Sequence, residues 1–412
     1  MHTIRPTPVL FALGAACLLP ASAPAIEIEY DSNLRYRYEL FSRDQDATTP
    51  ANADSKASTL RLGVTLNAKL GNGFGGLVEI ESVHQIGEDD YNIPTIPSQA
   101  IPGYPVIGDP EGTEMNQAYM SWQGPMNTVV KLGRQEIKLN EGRFISNSGW
   151  RQNHQSFNAA SLSSAPFERF NLELGHLTRV YRVVGDDASN GRTDLSGNYF
   201  NLAYTLPDVG VIKAYGVLLD FDSELSNSTD TFGVRFEGNL PLASSGLRLL
   251  TTLDFARQKD AGDNPNPVSA SYRLIEIGVK ARGLDFIAGQ ALLEGASATD
   301  KFNTPLAHPF NGFTELFLNT PSLGASHGLD ARYLRISGPV PGVAGLTATA
   351  AYYDYQPETG SADYGSELDF DLAWKATPLA KNLVLGWRFG KYASDGLFSD
   401  ALRTSVWAGY TF

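Results

Sequence analysis

In the stretch TLRLGVTLNAKL, Leu60, Leu62, Val64 and Leu66 alternate with Arg61, Gly63, Thr65 and Asn67, and this period of two recurs along most of the chain. A segment built this way folds as a strand with one apolar and one polar face. SELDFDLAW repeats the pattern, with Leu368, Phe370, Leu372 and Trp374 against Glu367, Asp369, Asp371 and Ala373. LRTSVWAGYTF does so again, with Leu402, Thr404, Val406, Ala408, Tyr410 and Phe412 opposite Arg403, Ser405, Trp407, Gly409 and Thr411. In a soluble sandwich the polar faces would meet water and the apolar faces a core. In a membrane barrel the apolar faces meet lipid and the polar faces a lumen.

Connections decide between these two. Eighteen candidate strands lie near residues 28–41, 58–70, 74–86, 114–123, 127–138, 154–164, 168–184, 195–206, 209–221, 229–240, 245–258, 270–281, 283–294, 329–338, 343–356, 365–377, 381–393 and 401–412. Every second connection is tight: GNG, GPM, APFE, LPDVG, LPLASSG, ARG, GPVPGVAG and TPLAK. The others are mostly longer, and residues 87–113 and 295–328 form the two longest. An even strand count with short turns at one end and long loops at the other predicts an all-β fold, a transmembrane antiparallel barrel of about 18 strands with both termini in the periplasm. Closure also satisfies the backbone. An open sheet would leave two unpaired edges, and an unpaired amide in lipid costs several kcal/mol.

Residues 1–25, MHTIRPTPVLFALGAACLLPASAPA, carry one cation, Arg5, then an apolar run and small residues ending Ala23-Pro24-Ala25. That is the layout of a cleaved secretory signal peptide, too short to span a bilayer. Residues 26–412 are then one barrel domain. The single cysteine, Cys17, lies in the leader without the Leu three positions upstream that a lipoprotein signal would carry. A mature chain without cysteine makes no disulfides and no Cys-ligated metal site.

Removal of the leader leaves 31 Lys and Arg against 45 Asp and Glu, a net −14, which disfavours nucleic-acid binding. No cofactor is expected: GNGFGG, residues 71–76, precedes no helical pattern and reads as a turn with φ > 0. Asp89-Asp90 and Asp186-Asp187 read as solvated loop charge, and NST at residues 227–229 carries no weight. Acidic loop segments such as GEDD, GDPEG, DFDSE and PETGSAD suit divalent bridging to lipopolysaccharide. Tyr36, Tyr38, Phe41, Tyr119, Trp122, Trp374, Trp387 and Trp407 are candidates for interfacial aromatic girdles, although alternation turns Trp407 inward.

The loop-to-strand junction GRQEIKLNEGRFISNSGWRQNHQSFNA resembles the G-R-Q … R-F … W-R-Q-N … T-F-D-A run of the bacterial alginate export family. HPFNGFTELFLNTPSLG is similar to a second segment of that family, and Phe412 resembles the terminal aromatic by which outer-membrane barrels are recognised for assembly. The resemblance implies an eighteen-stranded outer-membrane pore with an Arg-rich constriction. Such a pore passes an anionic polysaccharide, oligosaccharide or carboxylate passively, as a monomer beside lipid and lipopolysaccharide and in reach of periplasmic export machinery. Positions matching the family's motif are Arg134, Arg143, Arg151 and Gln152. His154, Ser156 and Asn158 depart from it, where an acid, Thr and Asp are usual, which leaves the polymer open. A general or substrate-specific porin for small solutes is the alternative.

Alternation turns Arg35, Arg37, Arg61, Lys131, Arg235, Lys280, Arg335, Arg388 and Arg403 inward, with Glu39, Glu173, Asp254, Glu276, Glu367, Asp369 and Asp371. Opposed charges across a lumen select ions by field. The pair His154 and Ser156 has the spacing of the base and nucleophile of outer-membrane phospholipase A, with both expected on one strand face. The Asn-Gly that follows the pair in that enzyme is absent, and a non-enzymatic pore wall is the reading adopted. The two longest loops, rich in Pro and aromatics, are expected to fold inward as gates or plugs.

Overall fold

The computed structural model describes residues 26–44, 54–242, 246–307, 311–317 and 327–412. The leader, and the parts of the second family segment at 308–310 and 318–324, lie outside the described residues. Among the described residues eighteen strands follow one another. The first six are β1 (Glu27–Arg43), β2 (Ser55–Gly71), β3 (Phe74–Asp90), β4 (Gly112–Gly124), β5 (Thr128–Gln135) and β6 (Ser156–Phe167). Next come β7 (Phe170–Tyr181), β8 (Arg192–Leu206), β9 (Gly210–Phe221), β10 (Thr229–Leu242), β11 (Leu247–Asp260) and β12 (Ser269–Ala281). The circuit ends with β13 (Leu284–Leu293), β14 (Leu329–Pro339), β15 (Leu346–Gln356), β16 (Gly365–Lys375), β17 (Leu383–Ala393) and β18 (Ala401–Thr411).

Every neighbour pairs antiparallel, and β1 pairs with both β2 and β18, so the sheet closes on itself and keeps no edge. The short turns hold the backbone conformations that hairpins demand. Met126 with Asn127, and Arg282 with Gly283, have positive φ at successive positions, matching the right-handed twist of the strands they join. GNGFGG is such a turn, with φ of 86°, 52° and 82° at Gly71, Asn72 and Gly73.

Alternation sorts the two faces as the sequence requires. Leu132 and Leu334 are each 64% exposed on the outer wall, whereas Arg37, two residues from Arg35 and Glu39 on the inner face, is fully buried. A large apolar outer belt is stable only against lipid.

Three aromatics expected in the girdles face inward instead. Phe41 lies beneath the Arg403 guanidinium, 4.8 Å from ring centroid to Cζ, and the Lys131 amine sits 4.6 Å over Tyr119. Trp407 pairs in register with Gly386 and covers it, so a Cβ at 386 would collide with the indole. The wall repeats this device: Tyr199 covers Gly175, Phe200 covers Gly216, Tyr215 covers Gly233, and Tyr333 covers Gly289. A large ring laid over a cross-strand glycine fills the gap left by its missing side chain. Trp407 is therefore a wall-packing residue rather than an interfacial anchor.

Candidate functional site

The long-loop end of the barrel is filled from within. Residues 91–111 between β3 and β4 bury Tyr91, Ile93, Ile96 and Ile107, and residues 136–155 between β5 and β6 bury Ile137, Leu139, Phe144 and Ile145. A compact apolar underside explains why these segments hold a fixed place without strand periodicity. The loop 136–155 crosses the lumen, and Ile145 bridges to Leu306 of the loop between β13 and β14.

At the far end of that crossing, residues 149–152 dock on the inner wall. Arg35 Nε donates to Gln152 Oε1 at 3.0 Å, and its Nη atoms reach the carbonyls of Gly149, Trp150 and Arg151. Gln152 is buried and donates to Thr59 Oγ1 at 2.8 Å, while its amide donates to Asp109 Oδ1 at 2.8 Å. The Arg388 guanidinium is held between two rings, 3.8 Å from the Trp150 centroid and 4.3 Å from that of Phe313. Stacking of this kind suits a planar guanidinium.

Six buried charges tie the loops to the barrel. Glu39 accepts Arg403 Nε at 2.7 Å and lies 3.4 Å from Arg37 Nε and 3.5 Å from Arg151 Nη1. Asp109 pairs with Arg37, and Glu315 pairs with Arg151 and, at 2.7 Å, with Arg403. Two strands and three loops thus meet in a cluster of three guanidiniums and three carboxylates. Charges this deeply buried persist only when paired and hydrogen-bonded.

The inner acids of β16 serve the same end. Glu367 accepts from Thr314 N at 2.7 Å and Thr314 Oγ1 at 2.6 Å, and Asp369 accepts from Phe313 N at 3.0 Å. Asp371 pairs with Arg388 at 2.7 Å. The acidity of SELDFDL is therefore spent on holding a loop and one arginine.

The predicted site residues fall into three groups and one exception. Arg35, Arg37, Arg61, Arg151, Gln152 and Arg388 meet at the docked loop end. Arg143, Arg235 and Arg335 line a chamber of about 210 Å³ between the other end of the loop and the wall of β10–β15. Lys131 lines a separate recess of about 170 Å³ with Glu136, Lys138 and Glu173. Arg134 belongs to none of these groups: it is buried, its Nε donates to Ser156 Oγ at 2.9 Å and its guanidinium lies 3.5 Å over the Tyr181 ring. Trp150, Asp109, Glu315 and Phe313 were missed. Only Trp150 carried a signal, as a bulky aromatic beside two polar residues at a loop tip.

The pairing of His154 with Ser156 does not occur. His154 precedes β6, and the two side chains serve different partners. The Nδ1 of His154 lies 2.9 Å from both Glu81 and Glu136, and Nε2 lies 2.8 Å from Arg61 Nη1. Burial disfavours charge on the ring, yet hydrogen bonds and charge from Glu136 and Glu81 outweigh it and push His154 up to about 9. Both nitrogens are engaged, so neither can take a proton from Ser156. Purified protein and its Ser156→Ala variant should show the same background ester hydrolysis; a loss confined to the variant would restore the hydrolase reading.

Comparison with known proteins agrees with this architecture. The chain is similar in fold to the crystal structure of Acinetobacter baumannii OccAB4, with a TM-score of 0.73, 15% identity and coverage of 96% of this chain and 100% of that one. Pseudomonas aeruginosa OccK9 (OpdG) aligns with a TM-score of 0.71 at 17% identity, covering 94% of this chain and 98% of its own. Pseudomonas aeruginosa OpdK, solved with vanillate, aligns with a TM-score of 0.70 at 12% identity over 93% and 98%. No curated protein matches the chain. Residues 27–256, more than half of the sequence, match the alginate export family. A closed eighteen-strand barrel with an apolar belt and a charged, loop-narrowed lumen, matched over that span, makes this chain a member of the alginate export family and a channel of the cell outer membrane rather than an enzyme.

Proposed function

We propose that the channel passes anionic oligosaccharides or small carboxylates passively, selecting them by guanidinium groups that no carboxylate neutralises. One observation carries this reading. Arg35 is held by Gln152 and three carbonyls, and Arg143 donates to Asn311 Oδ1 at 3.2 Å, with no carboxylate within salt-bridge distance of either among the described residues. The acids around them are engaged elsewhere: Glu39, Asp109 and Glu315 in the six-charge cluster, Glu367 and Asp369 on loop amides, Asp371 on Arg388. A chain of net −13 can thus present positive potential where the lumen is narrow, because field at a constriction depends on local charge.

The narrowing itself favours the smaller solutes. Trp150 reaches the Arg388 wall, which leaves little room for a bulky hydrated polymer. The likeness to OpdK, a barrel solved with vanillate, supports a small carboxylate equally well. The test is a reversal potential in a planar bilayer under a KCl gradient. Wild type should favour anions, and Arg35→Gln combined with Arg143→Gln should move the reversal potential toward cations. Cation selectivity in the wild type would refute the proposal.

A further inference from the structure

The chamber beside the loop crossing holds buried polar groups that have no hydrogen-bond partner among the described residues. Asn140 is 7% exposed and both its amide atoms lack a partner; the Tyr272 hydroxyl, in a side chain 1% exposed, lacks one too. Arg143 Nη1 is likewise unpartnered, although its Nη2 donates to Asn311. All four groups belong to residues lining the same cavity of about 210 Å³. Buried groups of this kind are costly unless something satisfies them.

The acids lining the chamber already have partners in the wall. Glu276 accepts from Arg335 Nη2 at 2.8 Å and from the Tyr333 hydroxyl at 2.7 Å, and Glu141 pairs with Arg235 at 3.2 Å. Arg143 is the lining guanidinium with no carboxylate within salt-bridge distance among the described residues, whereas Arg235 is shared by Glu141, Glu237 and Asp254 and Arg335 pairs with Glu276. The Arg143 guanidinium is fixed over the Tyr272 ring at 5.2 Å, which leaves the Nη1 edge to a planar anion. Tyr333 and Tyr353, with centroids 5.1 Å apart, add an aromatic wall against which the C–H face of a ring can lie.

We infer that this chamber is an off-axis binding site for one ring-sized, hydroxylated carboxylate, the anion on Arg143 and the hydroxyls on Asn140 and Tyr272. The inference rests on the anion-channel reading and deepens it. The hydroxyl requirement comes from Asn140 Oδ1, an acceptor that needs a donor, which a carboxylate lacks at neutral pH. At ~30 Å³ per molecule the volume corresponds to about seven waters, room for a single sugar-sized ring but not for two. The site therefore holds one unit at a time and would slow its passage rather than conduct a continuous chain.

Full-length protein in planar bilayers tests this with three probes: glucuronate, its neutral counterpart glucose, and benzoate, which has the anion without the aliphatic hydroxyls. Glucuronate should reduce the single-channel current at concentrations where glucose and benzoate do not. Arg143→Gln should raise the half-blocking concentration about tenfold, the usual loss for a charge-assisted bond. Tyr272→Phe, which keeps the ring and removes one hydroxyl, should raise it about threefold to fivefold. Equal block by all three probes, or block unchanged in both variants, overturns the site. The reversal potential keeps the two readings apart. A wild type that favours anions yet shows no variant effect loses only the chamber, whereas a cation-selective wild type loses the anion reading beneath it.

Discussion

Replacing Glu39 with Ala is expected to open the upper lumen. Glu39 is the hub of the six-charge cluster, in contact with Arg37, Arg151 and Arg403. Its removal leaves three guanidiniums facing two carboxylates in a site almost closed to water. Breaking a buried ion pair on one side costs about 3–5 kcal/mol, because the surviving charge keeps its desolvation penalty. The barrel wall does not have to bear that cost. Its strands are tied by continuous ladders, whereas the loops are held by side chains and can yield locally. Single-channel conductance should rise several-fold and fluctuate between levels, while the heat-dependent shift in electrophoretic mobility that reports a folded barrel stays intact. A Glu39→Ala channel with wild-type conductance and noise would show that the charges do not hold the loops. Adding Arg403→Met should partly restore the closed level, since it removes the excess cation together with its partner.

The strands were legible because membrane and lumen impose a two-residue period that survives in any single segment. TLRLGVTLNAKL reports its own two faces, and Arg37, Arg61, Arg335 and Arg388 could be turned inward from that period alone. What the inward charges do was not legible. Asp109, Arg151 and Glu315 meet across more than 200 residues of chain, and loops carry no repeat from which such meetings could be inferred. The same limit hid the fate of Glu367 and Asp369: alternation placed them in the lumen, but only the fold reveals the Phe313 and Thr314 amides they cap. Arg134 was equally opaque: the family motif marked it, but its contacts with Ser156 and Tyr181 join residues that no period links. The chamber was half visible. Tyr333 and Tyr353 are aromatics at wet-face positions, beside the outward Leu334 and Tyr352, and rings on the wrong side of a barrel strand need a reason.

Raising the pH through 9 is expected to loosen the loop crossing from its other anchor. His154 sits between Glu81 and Glu136, each 2.9 Å from Nδ1, with Arg61 at Nε2 and Asn147 and Asn116 donating to Glu136 at 2.6 Å. Burial works against its charge, but the two carboxylates prevail and lift its pKa from 6.5 to about 9. A group whose folded pKa is raised stabilises fully below its unfolded pKa and loses that contribution as pH climbs through the folded one. The shift corresponds to something on the order of 3 kcal/mol, present below pH 6.5 and gone above about 9. The neutral ring can still donate from Nδ1 to one carboxylate, and only in that form can Nε2 accept from Arg61 Nη1, because the charged ring carries a proton on both nitrogens. What disappears is the cation between Glu81 and Glu136, which then repel each other across the root of the loop. Tyr91, the other loop group with a resolved alkaline shift nearby, is pushed up to about 12 by burial and lies outside this window. Conductance should therefore stay level from pH 6 to 8 and rise with a midpoint near 9. His154→Gln should flatten the profile and hold conductance near its alkaline level throughout. A variant whose pH profile matches the wild type would assign the titration to another group and leave His154 a passive spacer between two acids.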